Sequence, residues 1–189
     1  MQLDSSRPGV FTFLDVGAAQ NRPASLVAAY VGCRAIGVET CNHHMRKATL
    51  NTASITTDPI IENCSVTYFH EDSTVRSNWS GVGMCFVWDV AFDTKTFNKT
   101  LNIIYWAHQK PVLLVVCTKH TDITRDIKDL FEAEEIGKRI QLPYLGGTST
   151  STVQVYRIKK KVSVLRYEIP PPHISILDKA EESFFSPKK

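Results

Sequence analysis

Apolar residues along this chain fall into short runs separated by amphipathic stretches, and the alternation is regular enough to predict elements. Phe11-Thr-Phe-Leu-Asp15 is short, apolar and broken at once by Val16-Gly17, which predicts a buried strand ending in a turn. From Ala18 to Tyr30 the apolar positions Leu26, Val27, Ala29 and Tyr30 fit a helix, with Asn21 as a cap and Pro23 tolerated in the first turn. Gly32 ends that helix. Ala35–Glu39 reads as a second strand and Asn42–Asn51 as a second helix. Ser65–His70 is a third strand, followed by the polar segment Glu71–Ser80, and Met84–Asp89 is a stronger fourth. Phe97, Leu101, Ile104 and Tyr105 give Thr94–His108 a helical spacing, and Pro111–Thr118 is the most apolar strand of all.

Alternating strands and helices predict an α/β domain with a mostly parallel sheet covered on both faces. The pattern changes after Asp122–Glu135, which is expected to be helical. Thr150–Ile158 and Val162–Ile169 are β-branched runs joined at Lys159-Lys160-Lys161, expected as an antiparallel hairpin or as consecutive strands at the sheet edge. Pro170-Pro-Pro172 stops regular structure. The domain is therefore placed at residues 1–170, with 171–189 as a C-terminal tail.

Composition narrows the class. With 189 residues, 43% hydrophobic and 22% charged, the chain can bury one sizeable core. Its longest apolar run, Val112–Cys117, is far short of the roughly 20 residues a membrane helix needs, so no membrane partner is expected. The first residues lack the apolar core of a secretory signal, which makes an intracellular location, nuclear or cytoplasmic, the expectation. Cys33, Cys41, Cys64, Cys85 and Cys117 contain no Cys-x-x-Cys pair and read as small apolar residues in a reducing compartment. A net charge of +3 leans weakly toward anionic partners. The basic cluster Arg157, Lys159, Lys160 and Lys161 is a charged strand edge or, alternatively, a contact for nucleic acid or an acidic histone surface.

Ligands of a parallel sheet bind beyond the carboxyl ends of its strands, and acids stand there in succession: Asp15, Glu39, Glu71-Asp72 and Asp89. Gly17 lets backbone approach a ligand closely, and Glu39, 22 residues further on, is placed to take both ribose hydroxyls. Val16-Gly-Ala-Ala-Gln-Asn21 has one glycine where a dinucleotide fingerprint needs three, which disfavours a pyrophosphate. An acid at position 15 repels phosphate but can orient an ammonium, directly or through water, and Asp72 can accept from an adenine amino group. S-adenosylmethionine is the better fit.

Phe13-Leu-Asp-Val-Gly17, Gly37-Val-Glu39, His70-Glu-Asp-Ser73 and Phe86-Val-Trp-Asp-Val-Ala-Phe92, followed by a helix and the Lys110-Pro-Val-Leu-Leu-Val strand, resemble class I methyltransferases. Within that class they are most similar to the disruptor-of-telomeric-silencing family, the nucleosome-directed histone lysine methyltransferases without a SET domain. The resemblance covers residues from about 11 to 160 and rests on order and spacing more than on any one motif. It implies a Rossmann-like, seven-stranded-type sheet with antiparallel C-terminal strands, S-adenosylmethionine as cofactor, and a histone or nucleosome as partner.

Carried over by position, the resemblance implies that Asp15 and Gly17 line the methionine end, that Glu39 binds the ribose, that Asp72 faces the adenine, and that Ala19, Gln20 and Ser73 also belong to the cofactor site. Ser73 stands where the family has an adenine-packing aromatic, and Trp88-Asp89 where it has two asparagines. Trp88, Asp89 and Phe92 are the expected acceptor-side residues: Trp88 and Phe92, with Phe86, offer rings for an apolar channel, and Asp89 a carboxylate that orients an amine or, for a nucleobase or amide acceptor, takes its proton. The lysine acceptor must lose its proton before attack, which desolvation in such a channel favours. Alternatives are an inactive methyltransferase-like subunit or scaffold, a nucleic-acid or small-molecule methyltransferase, and, least favoured, a dinucleotide oxidoreductase.

Overall fold

The computed structural model describes residues 12–56, 64–72, 82–88, 92–107, 112–118, 123–143 and 150–161. Strands β1 (Thr12–Val16), β2 (Arg34–Glu39), β3 (Ser65–His70), β4 (Val82–Trp88) and β5 (Val112–Thr118) alternate with helices α1 (Arg22–Val31), α2 (Asn42–Thr56) and α3 (Thr94–Ala107). Helix α4 (Ile123–Leu130) then leads into β6 (Phe131–Glu135), β7 (Ile140–Pro143) and β8 (Thr150–Lys160). The strands form one sheet in the order β3-β2-β1-β4-β5-β8-β6, with β7 also on β8. Every pairing from β3 to β5 is parallel, and β8 is antiparallel to β5, β6 and β7.

Strand alternation divides the core between the two faces. Leu14 and Val16 of β1 point to the side covered by α3 and α4, where they join Val38, Cys85, Val87, Leu114, Phe97, Leu101, Ile104 and Ile127. Phe13 points the other way, into a smaller cluster with Ala24 and Ala28 of α1, Cys33, Ala35 and Val66. The small residues Ala24, Ala28 and Ala35, all fully buried, let α1 approach the sheet closely. Among the described residues no helix is long and apolar enough to cross a membrane.

Several boundaries differ from expectation. Residues 18–21 are a turn, and α1 starts at Arg22 with Pro23 in its first turn. Asn21 does hold the N-cap position, but in a left-handed conformation and with no side-chain cap bond. The stretch expected as one helix over 122–135 ends at Leu130. From Phe131 the residues pair with Lys160–Tyr156 of β8, Phe131 buried and Glu132 and Glu134 exposed, a two-residue alternation that pairing with β8 imposes over helical propensity. Strand β7 went unread because its four residues are all exposed and give no hydrophobic period. Strand β8 runs straight through Lys159 and Lys160. Val162–Ile169 and the tail lie outside the described residues, as do Ser73 and Asp89.

Candidate functional site

The crossover from β1 through α1 to β2 leads to one side of β1, while β4 lies on the other. That makes the carboxyl end of β1 the point where strand order reverses, which is where an open parallel sheet leaves a crevice. Gly17, Glu39, Trp88 and Phe92 meet around it.

The turn after β1 is fixed by backbone bonds rather than by glycines. Gly17 takes a φ of 76°, and its N–H and that of Ala18 both donate to the Val38 carbonyl at 3.0 Å. Ala19 and Asn21 also have positive φ, 46° and 58°, a strained state for alanine that the surrounding contacts must hold. The Ala19 N–H donates to Glu39 Oε2 at 2.9 Å. Asn21 Nδ2 donates to Thr52 Oγ1 at 2.7 Å, and Asn51 Nδ2 donates to the Gln20 carbonyl at 2.6 Å. Both bonds tie the turn to α2. Asn21 can lie flat over β2 only because residue 37 has no side chain: a Cβ at Gly37 would stand 1.8 Å from Asn21 Oδ1.

Glu39 ends β2 with its carboxylate already engaged. Oε1 accepts the Thr40 and Cys41 amides, each at 2.8 Å, and Oε2 accepts Ala19. A carboxylate has about four acceptor directions, so one direction on Oε2 remains open to a ligand. One hydrogen-bond donor fits there as the turn stands. A second requires the Ala19 amide to let go.

Asp15 lies in register between Gly37 of β2 and Phe86 of β4, on the face covered by α1. It is completely buried, and neither carboxylate oxygen has a hydrogen-bond partner among the described residues. Burial pushes its pKa up to about 7. The Ala24 amide at the start of α1 pulls it back without reaching bonding geometry, and the charge of Glu39 raises it further. Asp15 therefore lies beneath the turn, with no surface of its own at the rim. Tyr68, which the sequence gave no reason to single out, is in register with Gly37 on the other side. Its hydroxyl is buried without a partner among the described residues, and its pKa is raised by burial first, then by Glu39 and Cys41. Parallel register between β2 and β3 is the signal that finds it.

On the acceptor side the two rings separate. Trp88 is 42% exposed at the end of β4, its indole edge-on to Phe86 with centroids 6.4 Å apart. Phe92 turns the other way: it packs on the α3 side of the core, and a Cβ on Gly17 would lie 3.3 Å from its ring. Phe92 thus covers Gly17. Asp72 is exposed, two residues past β3 at the same rim.

The basic cluster is largely matched within the sheet. Arg157 Nη1 bonds Glu134 Oε2 at 2.9 Å, Lys159 lies 3.8 Å from Glu132, and Lys160 sits 4.4 Å over the Tyr105 ring. Lys161 Nζ donates to the Lys128 carbonyl. Acidic β6 therefore offsets the charge of β8.

No protein-family model and no curated protein matches the chain. Solved structures do. The magnesium protoporphyrin IX methyltransferase of Synechocystis with bound S-adenosylmethionine superposes with a TM-score of 0.60 at 11% identity, over 78% of this chain and 69% of that one. An S-adenosylmethionine-dependent methyltransferase of Methanosarcina mazei gives 0.61 at 12% identity, over 79% and 93%. An RNA methyltransferase of Salinibacter ruber in complex with S-adenosylhomocysteine gives 0.55 at 15% identity, over 82% and 84%. At these identities the likeness establishes the fold: the chain has the Rossmann-like fold of class I methyltransferases. The narrower resemblance to nucleosome-directed enzymes stays at the level of the sequence motifs.

Proposed function

We propose that the chain binds S-adenosylmethionine across the carboxyl ends of β1 and β2 and directs its methyl group to an amine, a protein lysine of a histone being the acceptor the motifs favour. The observation that carries this reading is the link between Glu39 and the Gly17–Asn21 turn at the reversal of strand order. An acid at the end of β2 that already touches the first turn is where an adenosyl ribose finds an acceptor. The exposed Asp72 suits an adenine amino group, and Asp15 supplies a buried negative potential beneath the turn once ionised. When bound, the cofactor supplies a methyl group already activated on sulfonium sulfur. The chain itself has only to bind and to place the acceptor. The exposed face of Trp88 suits a cationic amine and the methylated cation that leaves.

A second reading, an inactive subunit that keeps the fold, is favoured by a specific feature. Glu39 is bonded by three backbone amides and Phe92 covers Gly17, so the turn is complete without a ligand.

Calorimetric titration with S-adenosylmethionine and S-adenosylhomocysteine separates the two. Saturable binding, weakened about 10- to 100-fold in Glu39→Gln, supports the cofactor site, because a charge-assisted bond is worth about 1.5–3 kcal/mol. No heat at millimolar ligand establishes the scaffold reading. Labelled cofactor offered with histones, nucleosomes, RNA and DNA in separate reactions then identifies the acceptor, and label in nucleic acid alone removes the lysine assignment.

A further inference from the structure

Cys33 and Cys64 stand at the amino ends of β2 and β3, the end of the sheet away from Glu39. Arg34 is in register with Ser65 and Ala35 with Val66. The Ser65 N–H donates to the Cys33 carbonyl at 3.3 Å, so the parallel ladder reaches back to residues 33 and 64. Alternation puts Cys33 on the face of Ala35 and Cys64 on the face of Val66, and all four pack in the same apolar cluster. Neighbouring strands run about 4.8 Å apart, inside the roughly 4.4–6.8 Å that a disulfide spans between Cα atoms. Each also raises the question of access: Cys33 is 3% exposed, whereas Cys64 is half-buried, and both are free thiols. The Cys33 pKa is raised by burial first and then by Cys64.

We propose that Cys33 and Cys64 are a dithiol pair that closes to a disulfide, clipping β2 to β3. With a small disulfide such as oxidised glutathione as oxidant, the Cys64 thiolate attacks one of its sulfurs, an S–S bond breaks and one glutathione thiolate leaves. Cys33 then gives its proton to solvent and attacks the Cys64 sulfur, expelling the second glutathione. Two protein thiols and one glutathione disulfide become one protein disulfide and two glutathione thiols. The closed loop, residues 33–64, contains Glu39 and α2. Glu39 is six residues up the strand from Cys33, about 20 Å away, so the clip stiffens the segment that carries it without touching the ligand rim. This inference stands independently of the proposed cofactor.

Each of the five cysteines falls on a different tryptic peptide, so the folded, reduced protein incubated with oxidised glutathione and mapped by mass spectrometry reports the partners directly. The expected result is a linked pair of the peptides ending at Arg34 and Arg76, a free-thiol count lower by two, and a melting temperature higher by roughly 5–15 °C. The link disappears in Cys33→Ser and Cys64→Ser and persists in Cys41→Ser. A Cys64 that stays capped by glutathione, a Cys64 linked to the exposed Cys41, or two thiols that stay reduced in the wild-type protein would each overturn the proposal.

Discussion

The contact between Asn21 and Gly37 offers the sharpest test of how the first turn is held. In Gly37→Ala the new methyl would lie 1.8 Å from Asn21 Oδ1, 2.8 Å from its Cγ and 3.0 Å from the Ala18 Cβ. None of these atoms is the loose end of a long side chain. Asn21 is fully buried with its amide bonded to Thr52, so it cannot move aside without breaking that bond. Forcing an extra methyl into a packed site costs about 1–3 kcal/mol, and losing the bond adds about 1 kcal/mol. The expected total is about 2–4 kcal/mol, read as a fall in melting temperature of roughly 5–15 °C for a domain of this size. Asn21→Gly keeps the left-handed backbone while removing the obstruction, so in that background Gly37→Ala should cost under about 1 kcal/mol, the Ala18 contact remaining. Urea unfolding of the two single variants, the double variant and the wild type measures the coupling. If Gly37→Ala melts with the wild type, or costs as much with Asn21 trimmed, then Asn21 does not lie over β2 as described.

Asp15 makes stability depend on pH. Its carboxyl titrates near 3.8 when exposed and about 7 in the folded chain, so between those values the folded state keeps a proton that the unfolded chain has released. Stability therefore falls as pH rises through this window and levels off above it, a loss of roughly 4 kcal/mol in all. In urea titrations at pH 5 and pH 8, Asp15→Asn should flatten this slope and be the more stable protein at pH 8; an unchanged slope would place the titrating group elsewhere. Tyr156, fully buried, joins Thr124 Oγ1 at 2.8 Å and donates to Gln154. Tyr156→Phe leaves the Gln154 oxygen without that donor and should lower unfolding free energy by about 1–3 kcal/mol in chemical denaturation. A change below about 0.5 kcal/mol would show that the network contributes little.

What the sequence displayed most clearly was the parallel half of the sheet. Its strands are buried on both faces and announce themselves as apolar runs, as Phe13–Val16, Ile36–Val38 and Leu113–Cys117 do. Edge elements are different. Phe131–Glu135 follows α4 without a break, and only pairing with β8 makes it a strand; β7 has no buried residue at all. Of the site, Gly17 and Glu39 were legible because a spacing links them. The burial of Asp15, the inward turn of Phe92 and the buried hydroxyl of Tyr68 were not, since each depends on which strand lies beside which. Asn21 was read as a helix cap, and its contact with Gly37 is a pairing of residues 16 apart that no local pattern encodes.

Strand β8 has a consequence for the order of assembly. It joins β5, β6 and β7, and among the described strands β6 and β7 have no other neighbour. On the ribosome, where the chain emerges from its amino end, β1 to β5 can stack as parallel units while β6 and β7 wait without a ladder. Their final registration is deferred until residue 160 has been added. Acidic Glu132, Glu134 and Glu135 in the waiting segment keep it charged and discourage premature pairing with another chain.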